Sequence, residues 1–177
     1  MNQQLSLSRN KIMSHAELAA EVQRRQQAGE QGVFTNGCFD LLHIGHVRYL
    51  QEARDLGDFL VLALNGDESV RILKGEMRPL VPEQERAEIL AALTCIDYVT
   101  IFPETTANSL LELLQPAIYV KGGDYAGAQA GSIDTHRLPE AKVVQAYGGS
   151  IRLIPYLPNH STTELITKIK RLPQPFR

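Results

Sequence analysis

The apolar residues of the chain fall into short continuous runs, separated by longer segments in which apolar residues recur at helical spacing. The clearest run, residues 59–64, is apolar at every position, as expected of a strand that is buried on both faces. Residues 33–35, 96–102, 118–120 and 151–154 are shorter runs, most of them rich in β-branched and aromatic side chains. The pattern therefore predicts five strands.

Helical segments are predicted before and between these strands. Ser14 and Glu17 have the spacing of a capping box, apolar residues follow at helical intervals, and Gly29 marks the end of this first helix. Pro82 stands at the first turn of a later helix. The other predicted helices cover residues 45–56, a segment that ends near Lys74, and residues 106–114, 138–147 and 161–171.

Strands that alternate with helices predict an α/β fold: a doubly wound, five-stranded parallel sheet with right-handed crossovers. In such a sheet, ligands bind beyond the carboxyl ends of the strands. Residues 1–13 lack periodicity and are predicted to form a loose N-terminal arm, which leaves residues 14–177 as a single domain. Residues 126–137, rich in Ala, Gly and Gln, are predicted to form a flexible loop.

Composition narrows the class of protein. A chain of 177 residues suits one domain with one core. Because 18 Lys and Arg stand against 20 Asp and Glu, the net charge of −2 gives no basic surface for nucleic acid or for an anionic membrane. Cys38 and Cys95 are the only cysteines, which is typical of a reducing compartment. The N-terminus is polar and no run of about 18 apolar residues occurs, so we expect a cytoplasmic protein without a signal peptide or a membrane span.

The densest cluster of chemically active side chains, residues 35–46 (TNGCFDLLHIGH), leaves the first strand and enters the next helix. His43 and His46 are three residues apart, so both rings can point the same way, and Gly45 has no Cβ to obstruct a ligand. The N–H groups and the positive dipole end at a helix start favour an anion. Two imidazole donors aimed at that anion would complete a phosphate site.

The same cluster also permits a structural role or a zinc site. The histidines could simply cap and pack, or Cys38, His43 and His46 could bind zinc, although that spacing matches no common zinc motif and a fourth ligand is not evident. The sequence contains neither a P-loop nor a glycine-rich dinucleotide motif after a strand. Nucleotide binding by this chain would therefore depend on the histidine pair.

Polar residues also follow the second strand. Lys74 lies close in sequence to Arg71 and Arg78, which indicates either a phosphate site or an ordinary solvated charge cluster. Asn65 and Asp67 leave the strand at the edge where ligands are expected and could bind sugar hydroxyls. Asp67 could equally cap the helix that follows.

Two further motifs lie in the second half of the chain. Residues 121–125 (KGGDY) follow the fourth strand, at the edge where ligands are expected. A tight turn alone would also account for the two adjacent glycines. Residues 161–164 (STTE) have the form of a second capping box, which by itself would account for them on any helix.

Residues 35–46 resemble the His-x-Gly-His signature of the nucleotidyltransferase superfamily, which includes cytidylyltransferases and the pantetheine-phosphate and nicotinamide mononucleotide adenylyltransferases. The likeness continues through LNGDESVR (64–71), KGGDY (121–125) and STT (161–163). Over about residues 32–169 the chain resembles the D-glycero-β-D-manno-heptose 1-phosphate adenylyltransferase family. The resemblance implies a Rossmann-like fold of the nucleotidyltransferase type.

The resemblance also implies a function. Such an enzyme transfers an adenylyl group from ATP to D-glycero-β-D-manno-heptose 1-phosphate, giving ADP-heptose and pyrophosphate for lipopolysaccharide core synthesis. Mg²⁺ is expected as the cofactor, bound mainly through the ATP phosphates, with no protein ligand to the metal assigned. Related nucleotidyltransferases are commonly homodimers, so a homodimer is expected. Two alternatives stay open: a cytidylyltransferase acting on glycerol 3-phosphate or a similar alcohol phosphate, and a non-catalytic nucleotide-binding module.

Individual site residues follow from the same resemblance. The expected catalytic residues are His43, His46 and Lys74. The expected nucleotide-binding residues are Thr35, Asn36, Gly37, Phe39, Gly45, Lys121, Gly122, Gly123, Ser161, Thr162 and Thr163. The expected substrate-binding residues are Asp40, Asn65, Asp67, Arg86, Asp124 and Tyr125. Ile166 stands where the pantetheine and nicotinamide branches carry arginine, which fits the cytidylyltransferase-like branch and leaves the phosphate charge to Lys74 and the histidines.

Overall fold

The computed structural model describes residues 8–123, 134, 137–155, 157, 158 and 160–173. Within these residues five strands form one sheet in the order β3-β2-β1-β4-β5, and all neighbouring strands are parallel. The strands are β1 (Gly32–Gly37), β2 (Phe59–Asn65), β3 (Tyr98–Phe102), β4 (Ile118–Gly122) and β5 (Ser150–Ile154). The predicted five-stranded parallel sheet is confirmed.

Helices connect the strands and cover the sheet. They are α1 (His15–Gln27), α2 (Ile44–Arg54), α3 (Asp67–Lys74), α4 (Glu83–Ala91), α5 (Asn108–Leu114), α6 (Glu140–Ala146) and α7 (Thr162–Arg171). The predicted capping box of α1 is present, because Ser14 accepts from the backbone of Glu17 while the Glu17 carboxylate accepts from the backbone of Ser14. Predicted and observed element boundaries agree within about two residues, as is usual at helix and strand ends.

The core has two halves, one on each face of the sheet. Phe34, Phe59 and Tyr119 pack with α1, α5 and α6 in one half. Alternate residues of the same strands, such as Val33 and Leu60, pack with α2 and α4 in the other. Every residue of β2 is buried, which explains its unbroken apolar run. Successive side chains of each strand point to opposite faces, so one strand supplies both halves.

The predicted loose arm is wrong for residues 11–13, which dock on the sheet edge. Ile12 forms a parallel bridge with Val99 of β3. The Val99 N–H donates to the Lys11 carbonyl over 2.8 Å, and the Met13 N–H donates to the Val99 carbonyl over 2.9 Å. An edge strand has unpaired backbone groups, and this segment satisfies part of them without needing an apolar pattern of its own. Residues 1–7 lie outside the described part of the chain.

The strand order places a crevice next to β1. From β1 the chain proceeds to β2 and β3 on one side, and then returns to β4 and β5 on the other. The connections leave the carboxyl ends of β1 and β4 toward opposite sides, which creates an opening between them. None of the helices in the described residues is long and apolar enough to cross a membrane.

Candidate active site

A cleft of about 980 Å³ opens at the carboxyl ends of β1 and β4, beside the starts of α2 and α7. The predicted site residues that line it are Asn36, Gly37, Phe39, Asp40, His43, Gly45, His46, Asn65, Lys74, Lys121, Gly122, Ser161, Thr162 and Thr163. Thr35, Asp67, Arg86 and Gly123 do not line it, whereas Asp124 and Tyr125 lie outside the described residues. The topology thus brings residues from four separate motifs to one cleft.

The two histidines form a stacked pair at the start of α2. The ring centroids of His43 and His46 are 3.8 Å apart with an angle of 22° between the planes, and the Phe39 ring lies 5.3 Å from that of His46. His43 is the N-cap of α2, but its side chain makes no capping hydrogen bond. The His46 N–H donates to the His43 carbonyl over 2.9 Å, but the cap side chain satisfies none of the first N–H groups of this helix, as at many anion sites.

Both histidine rings are held in the neutral form. Burial lowers the pKa of His46 to about 4, with a smaller contribution from His43. Burial and the neighbouring His160 lower the pKa of His43 as well. The Nδ1 atom of each ring is enclosed without a hydrogen-bond partner among the described residues. Because a buried N–H without a partner is rarer than a buried acceptor without one, this arrangement favours the tautomer with the proton on Nε2. Each ring then offers one N–H donor.

Gly45 lines the cleft, as expected, and it also makes room for a histidine ring. A Cβ at this position would lie 2.9 Å from His43 Nδ1 and 3.3 Å from the Cβ of His160. Gly37 acts similarly, since a Cβ there would lie 2.9 Å from the Phe39 ring. Phe39 itself has a positive φ of 42°, uncommon for a non-glycine residue. Both glycines therefore shape the loop that carries the rings.

Asp40 supports the neighbouring loop, although it was expected to contact substrate. Its side chain is 1% exposed and forms an ion pair with Arg78. It also accepts hydrogen bonds of 2.8 Å from the Leu80 N–H and 3.0 Å from the Val81 N–H. Although burial acts in the opposite direction, these donors keep the pKa of Asp40 below its usual value. The carboxylate is fully used in joining two loops.

Arg86 is also structural, which corrects its expected role in substrate binding. It is 1% exposed and donates to the carbonyls of Cys38 at 2.6 Å and Asn65 at 2.9 Å. Its remaining terminal nitrogen donates to the Asp67 carboxylate at 2.6 Å. The N-cap of α3 is Gly66, so Asp67 does not cap this helix; the Asp67 N–H instead donates to the Glu83 carboxylate at 2.7 Å. Arg86 thus links the ends of β1 and β2.

Thr35 and Asn65 likewise hold the strand ends in place. The Thr35 hydroxyl is fully buried and lies 2.6 Å from the Tyr49 hydroxyl, which donates to the Val120 carbonyl. Asn65 is 2% exposed, and its amide nitrogen donates to the Ser69 hydroxyl and to the Glu104 carbonyl over 3.2 Å in each case. Both side chains are thus engaged within the protein.

Lys74 differs from the other basic residues of its segment. Arg71 pairs with Glu68 on the same helix, and Arg78 pairs with Asp40. Lys74 is exposed at the end of α3, lines the cleft, and forms neither a hydrogen bond nor an ion pair with any described residue. Its ammonium group can therefore move to meet an anion in the cleft.

Lys121 reaches the cleft from β4 and contacts β1. Its Nζ donates to Asn36 Oδ1 over 2.9 Å, and the Tyr119 hydroxyl donates to the same oxygen over 2.9 Å. Burial lowers the pKa of Lys121, while the nearby Glu140 raises it. Glu140 is itself 4% exposed and accepts from the Ala107 N–H over 3.3 Å. A partly buried lysine amine thus stands at the cleft wall.

The start of α7 closes another part of the cleft. Ser161 caps the helix by accepting from the Glu164 N–H over 3.1 Å, which confirms the second predicted cap. The Thr162 hydroxyl donates to the Leu41 carbonyl over 3.3 Å, and Thr163 is exposed. Gly123, which does not line the cleft, adopts a positive φ of 121°, as a tight turn requires.

Several residues that line the cleft were not assigned to the site from the sequence, among them Arg137, Glu140 and His160. Arg137 ends the segment predicted to be a flexible loop, most of which lies outside the described residues. His160 directly precedes the capping box, and its Nδ1 lies 2.7 Å from the Pro158 carbonyl. That adjacency is the signal that could have identified it.

The described residues contain no group of three His, Cys, Asp or Glu side chains suited to hold a metal ion. Cys38, His43 and His46 all line the cleft, yet they do not form such a group. Burial raises the pKa of the Cys38 thiol, which disfavours the thiolate that zinc binds. The zinc hypothesis for this cluster therefore has no support in the geometry.

Comparison with known proteins agrees with the sheet and the cleft. Residues 34–168 match the family model described as cytidylyltransferase-like. The chain is 52% identical over 171 residues to the bifunctional protein HldE of Geobacter metallireducens, covering 97% of this chain and 33% of that protein. It is 47% identical over 158 residues to the bifunctional protein HldE of Koribacter versatilis, covering 89% of this chain and 31% of that protein. The chain thus spans about a third of the length of these relatives.

A solved structure shares the fold. The crystal structure of the lipopolysaccharide core biosynthesis protein from Thermoplasma volcanium GSS1 matches with a TM-score of 0.55 and 25% sequence identity. The match covers 73% of this chain and 98% of that one. The predicted Rossmann-like α/β fold is confirmed by this likeness together with the strand order.

Proposed function

The chain belongs to the cytidylyltransferase-like family, and from this premise we propose that it transfers an adenylyl group from ATP to D-glycero-β-D-manno-heptose 1-phosphate in the cytoplasm. The products are ADP-heptose and pyrophosphate, for lipopolysaccharide core synthesis. The observation that carries the proposal is the stacked pair of histidines at the start of α2, where the cap side chain makes no hydrogen bond, in a cleft that Lys74 and the start of α7 also line.

The heptose substrate is supported by similarity. The relatives named bifunctional protein HldE are about half identical to this chain, and the Thermoplasma volcanium protein is named for lipopolysaccharide core biosynthesis. The cleft, at about 980 Å³, lies at the upper end of the range common for ligand pockets, about 300–1,000 Å³. Homodimer formation stays a prediction.

The reaction needs alignment more than proton transfer. An oxygen of the sugar phosphate attacks the α-phosphorus in line, the bond from that phosphorus to the bridging oxygen breaks, and pyrophosphate leaves with the electron pair. A phosphate monoester has a second pKa of about 6 and is largely dianionic at neutral pH, so the attacking oxygen needs no strong base. Catalysis then rests on orienting two anions and stabilising the charge that shifts to the leaving group.

The chain supplies donors for that charge. His43 and His46 donate from Nε2 to oxygens of the α- and β-phosphates, and the Lys74 ammonium approaches the same charge from α3. At the start of α7, backbone N–H groups and the exposed Thr163 hydroxyl hold the leaving pyrophosphate. The Ser161 and Thr162 hydroxyls position this helix start, since they donate to the Glu164 carboxylate and the Leu41 carbonyl. These donors would be in place before the charge moves, because the rings are fixed by stacking and by Phe39.

Enzymes of this family generally use a divalent metal together with the nucleoside triphosphate, and we assign Mg²⁺. The carboxylate of Asp40 is already taken by Arg78, Leu80 and Val81, so the protein offers little direct ligation. That suits Mg²⁺, which keeps several waters and is commonly held through substrate phosphates. When bound, the ion neutralises part of the triphosphate charge.

Pyrophosphate release tests the proposal directly. The purified protein is incubated with ATP or CTP and, in turn, with heptose 1-phosphate, glycerol 3-phosphate or no acceptor. We expect release with ATP and heptose 1-phosphate, with ADP-heptose identified by mass spectrometry. Release only with CTP and an alcohol phosphate would replace the proposed substrates, and no release with any pair would indicate a nucleotide-binding module.

A further inference from the structure

The carboxyl end of β1 carries an asparagine whose amide is held by two donors. Asn36 Oδ1 accepts from the Tyr119 hydroxyl over 2.9 Å and from Lys121 Nζ over 2.9 Å. Tyr119 is fully buried and Asn36 is 7% exposed. The same Lys121 nitrogen lies 3.4 Å from the Asn36 backbone carbonyl, which also accepts from it. Three residues on two adjacent strands thus share one small polar network.

This network fixes the orientation of the Asn36 side-chain amide. Lys121 Nζ and the Tyr119 hydroxyl both donate to one end of the amide, and that end is the oxygen, which accepts. The Asn36 Nδ2 group must then point away from Lys121, and it donates to no described residue. Because Asn36 lines the cleft, this NH₂ group is available there as a donor.

We propose that Tyr119 and Lys121 orient the Asn36 amide so that its NH₂ group donates to an oxygen of the bound substrate. The substrate atom is an oxygen acceptor, either a phosphate oxygen of the nucleotide or an oxygen of the sugar phosphate. Asn36 is then a binding residue, and Tyr119, which does not line the cleft, is a positioning residue. The inference rests on the proposed function, and it assigns to a core tyrosine a role in substrate affinity.

A substitution that removes the Asn36 NH₂ donor but keeps the side-chain oxygen tests the proposal. Asn36→Asp keeps an oxygen for Tyr119 and Lys121 but presents a second oxygen to the cleft, where it would repel an acceptor atom. We expect the KM for one of the two substrates to rise at least about tenfold, as a lost hydrogen bond plus repulsion implies. We also expect no loss of melting temperature. The substrate whose KM rises identifies the source of the oxygen.

Tyr119→Phe tests the positioning role, with Tyr147→Phe as the matched control. The Tyr147 hydroxyl is also buried but has no hydrogen-bond partner among the described residues, so its removal costs no contact there. We expect Tyr119→Phe to raise the KM for the same substrate by about threefold to fivefold, less than Asn36→Asp because Lys121 still holds the amide. Its kcat should change by less than about twofold, and Tyr147→Phe should match the wild-type protein.

The outcomes separate this inference from the proposed function. If the wild-type protein turns over no pair of nucleotide and acceptor, the proposed function fails. The network is then tested by measuring ATP binding to the same variants. If the wild-type protein is active and Asn36→Asp has wild-type KM values for both substrates, the orientation proposal is overturned. It is also overturned if Asn36→Asp and Tyr119→Phe affect different substrates, or if Asn36→Asp melts at a lower temperature than the wild-type protein.

Discussion

The starts of α2 and α7 both line the cleft, but they are held there in different ways. In α2, Leu50 and Ala53 are fully buried, and the histidine rings at its start are packed against each other and against Phe39. In α7, no residue is fully buried. Its start is instead fixed by polar contacts, namely the Ser161 cap and the hydrogen bond from Thr162 to Leu41.

Because the two helix starts are held differently, we expect them to have different roles. Apolar packing fixes positions tightly, because a shift would open a cavity or a clash. A helix held by a few exposed hydrogen bonds opens and closes at low cost. We therefore expect substitutions at the start of α2 to lower the rate of the chemical step, and substitutions at the start of α7 to weaken nucleotide binding instead.

The largest effect is expected from His46→Ala. This substitution removes a preorganised donor at the centre of the packed site, so kcat should fall by about 10²–10³-fold, the usual cost of losing one such donor. KM for ATP should change much less. Steady-state kinetics measure both constants, and His15→Ala is the control because His15 bonds to the Ile101 carbonyl outside the cleft. Near-normal turnover of His46→Ala would contradict the role of the pair.

The protonation of the pair predicts a pH-dependent stability. The pKa of His46 is about 4 in the folded protein against an ordinary value of 6.5, so the unfolded chain binds the proton more tightly between these values. The stabilisation is complete above pH 6.5 and is lost as the pH falls toward 4. At about pH 5 the loss should reach about 2 kcal/mol in the free energy of unfolding.

Urea unfolding at about pH 7 and about pH 5 measures this loss. His46→Asn should show a smaller difference between the two pH values than the wild-type protein, because it carries no ring at this position. Carboxylates whose pKa is lowered, such as Asp40, lose their contribution at lower pH and act equally in both proteins. Equal pH dependence in the two proteins would show that His46 is not held neutral by the fold.

Much of the fold follows from local pattern. Strand β2 and the cap of α1 were predictable because a continuous apolar run and a Ser-x-x-Glu spacing each have one common structural cause. The docking of residues 11–13 on β3 was not predictable. It depends on backbone groups of Val99, which any sequence presents, and on no periodicity of the segment itself.

Most of the predicted site residues line the cleft, but which of them are engaged within the protein was not predictable. His43, His46 and Lys74 line one cleft because parallel strands end at one edge of the sheet. Asp40 and Arg86, in contrast, are charged residues, and a charged side chain can bind either a ligand or a buried partner within the protein. Their partners lie 38 and 48 positions away in sequence, in Arg78 and Cys38, which no local pattern encodes.

Gly45→Ala tests whether packing positions the α2 histidines. The new Cβ would lie 2.9 Å from His43 Nδ1, closer than real Cβ atoms approach, so the ring must turn away. We expect kcat to fall about tenfold, since a donor misplaced by a fraction of an ångström loses much of its effect. In a His43→Ala background the same substitution should have little further effect, which a double-mutant cycle measures. Additive losses would mean that Gly45 acts independently of His43.

The smallest effect is expected at α7, from Thr162→Val. This change keeps the branched side chain and removes the hydrogen bond to Leu41, worth about 1 kcal/mol, so KM for ATP should rise about fivefold with kcat nearly unchanged. Thr167→Val is the matched control, because the Thr167 hydroxyl bonds within α7 to the Thr163 carbonyl. A fall in kcat without a change in KM would show that the start of α7 takes part in the chemical step, and the contrast with α2 would then disappear.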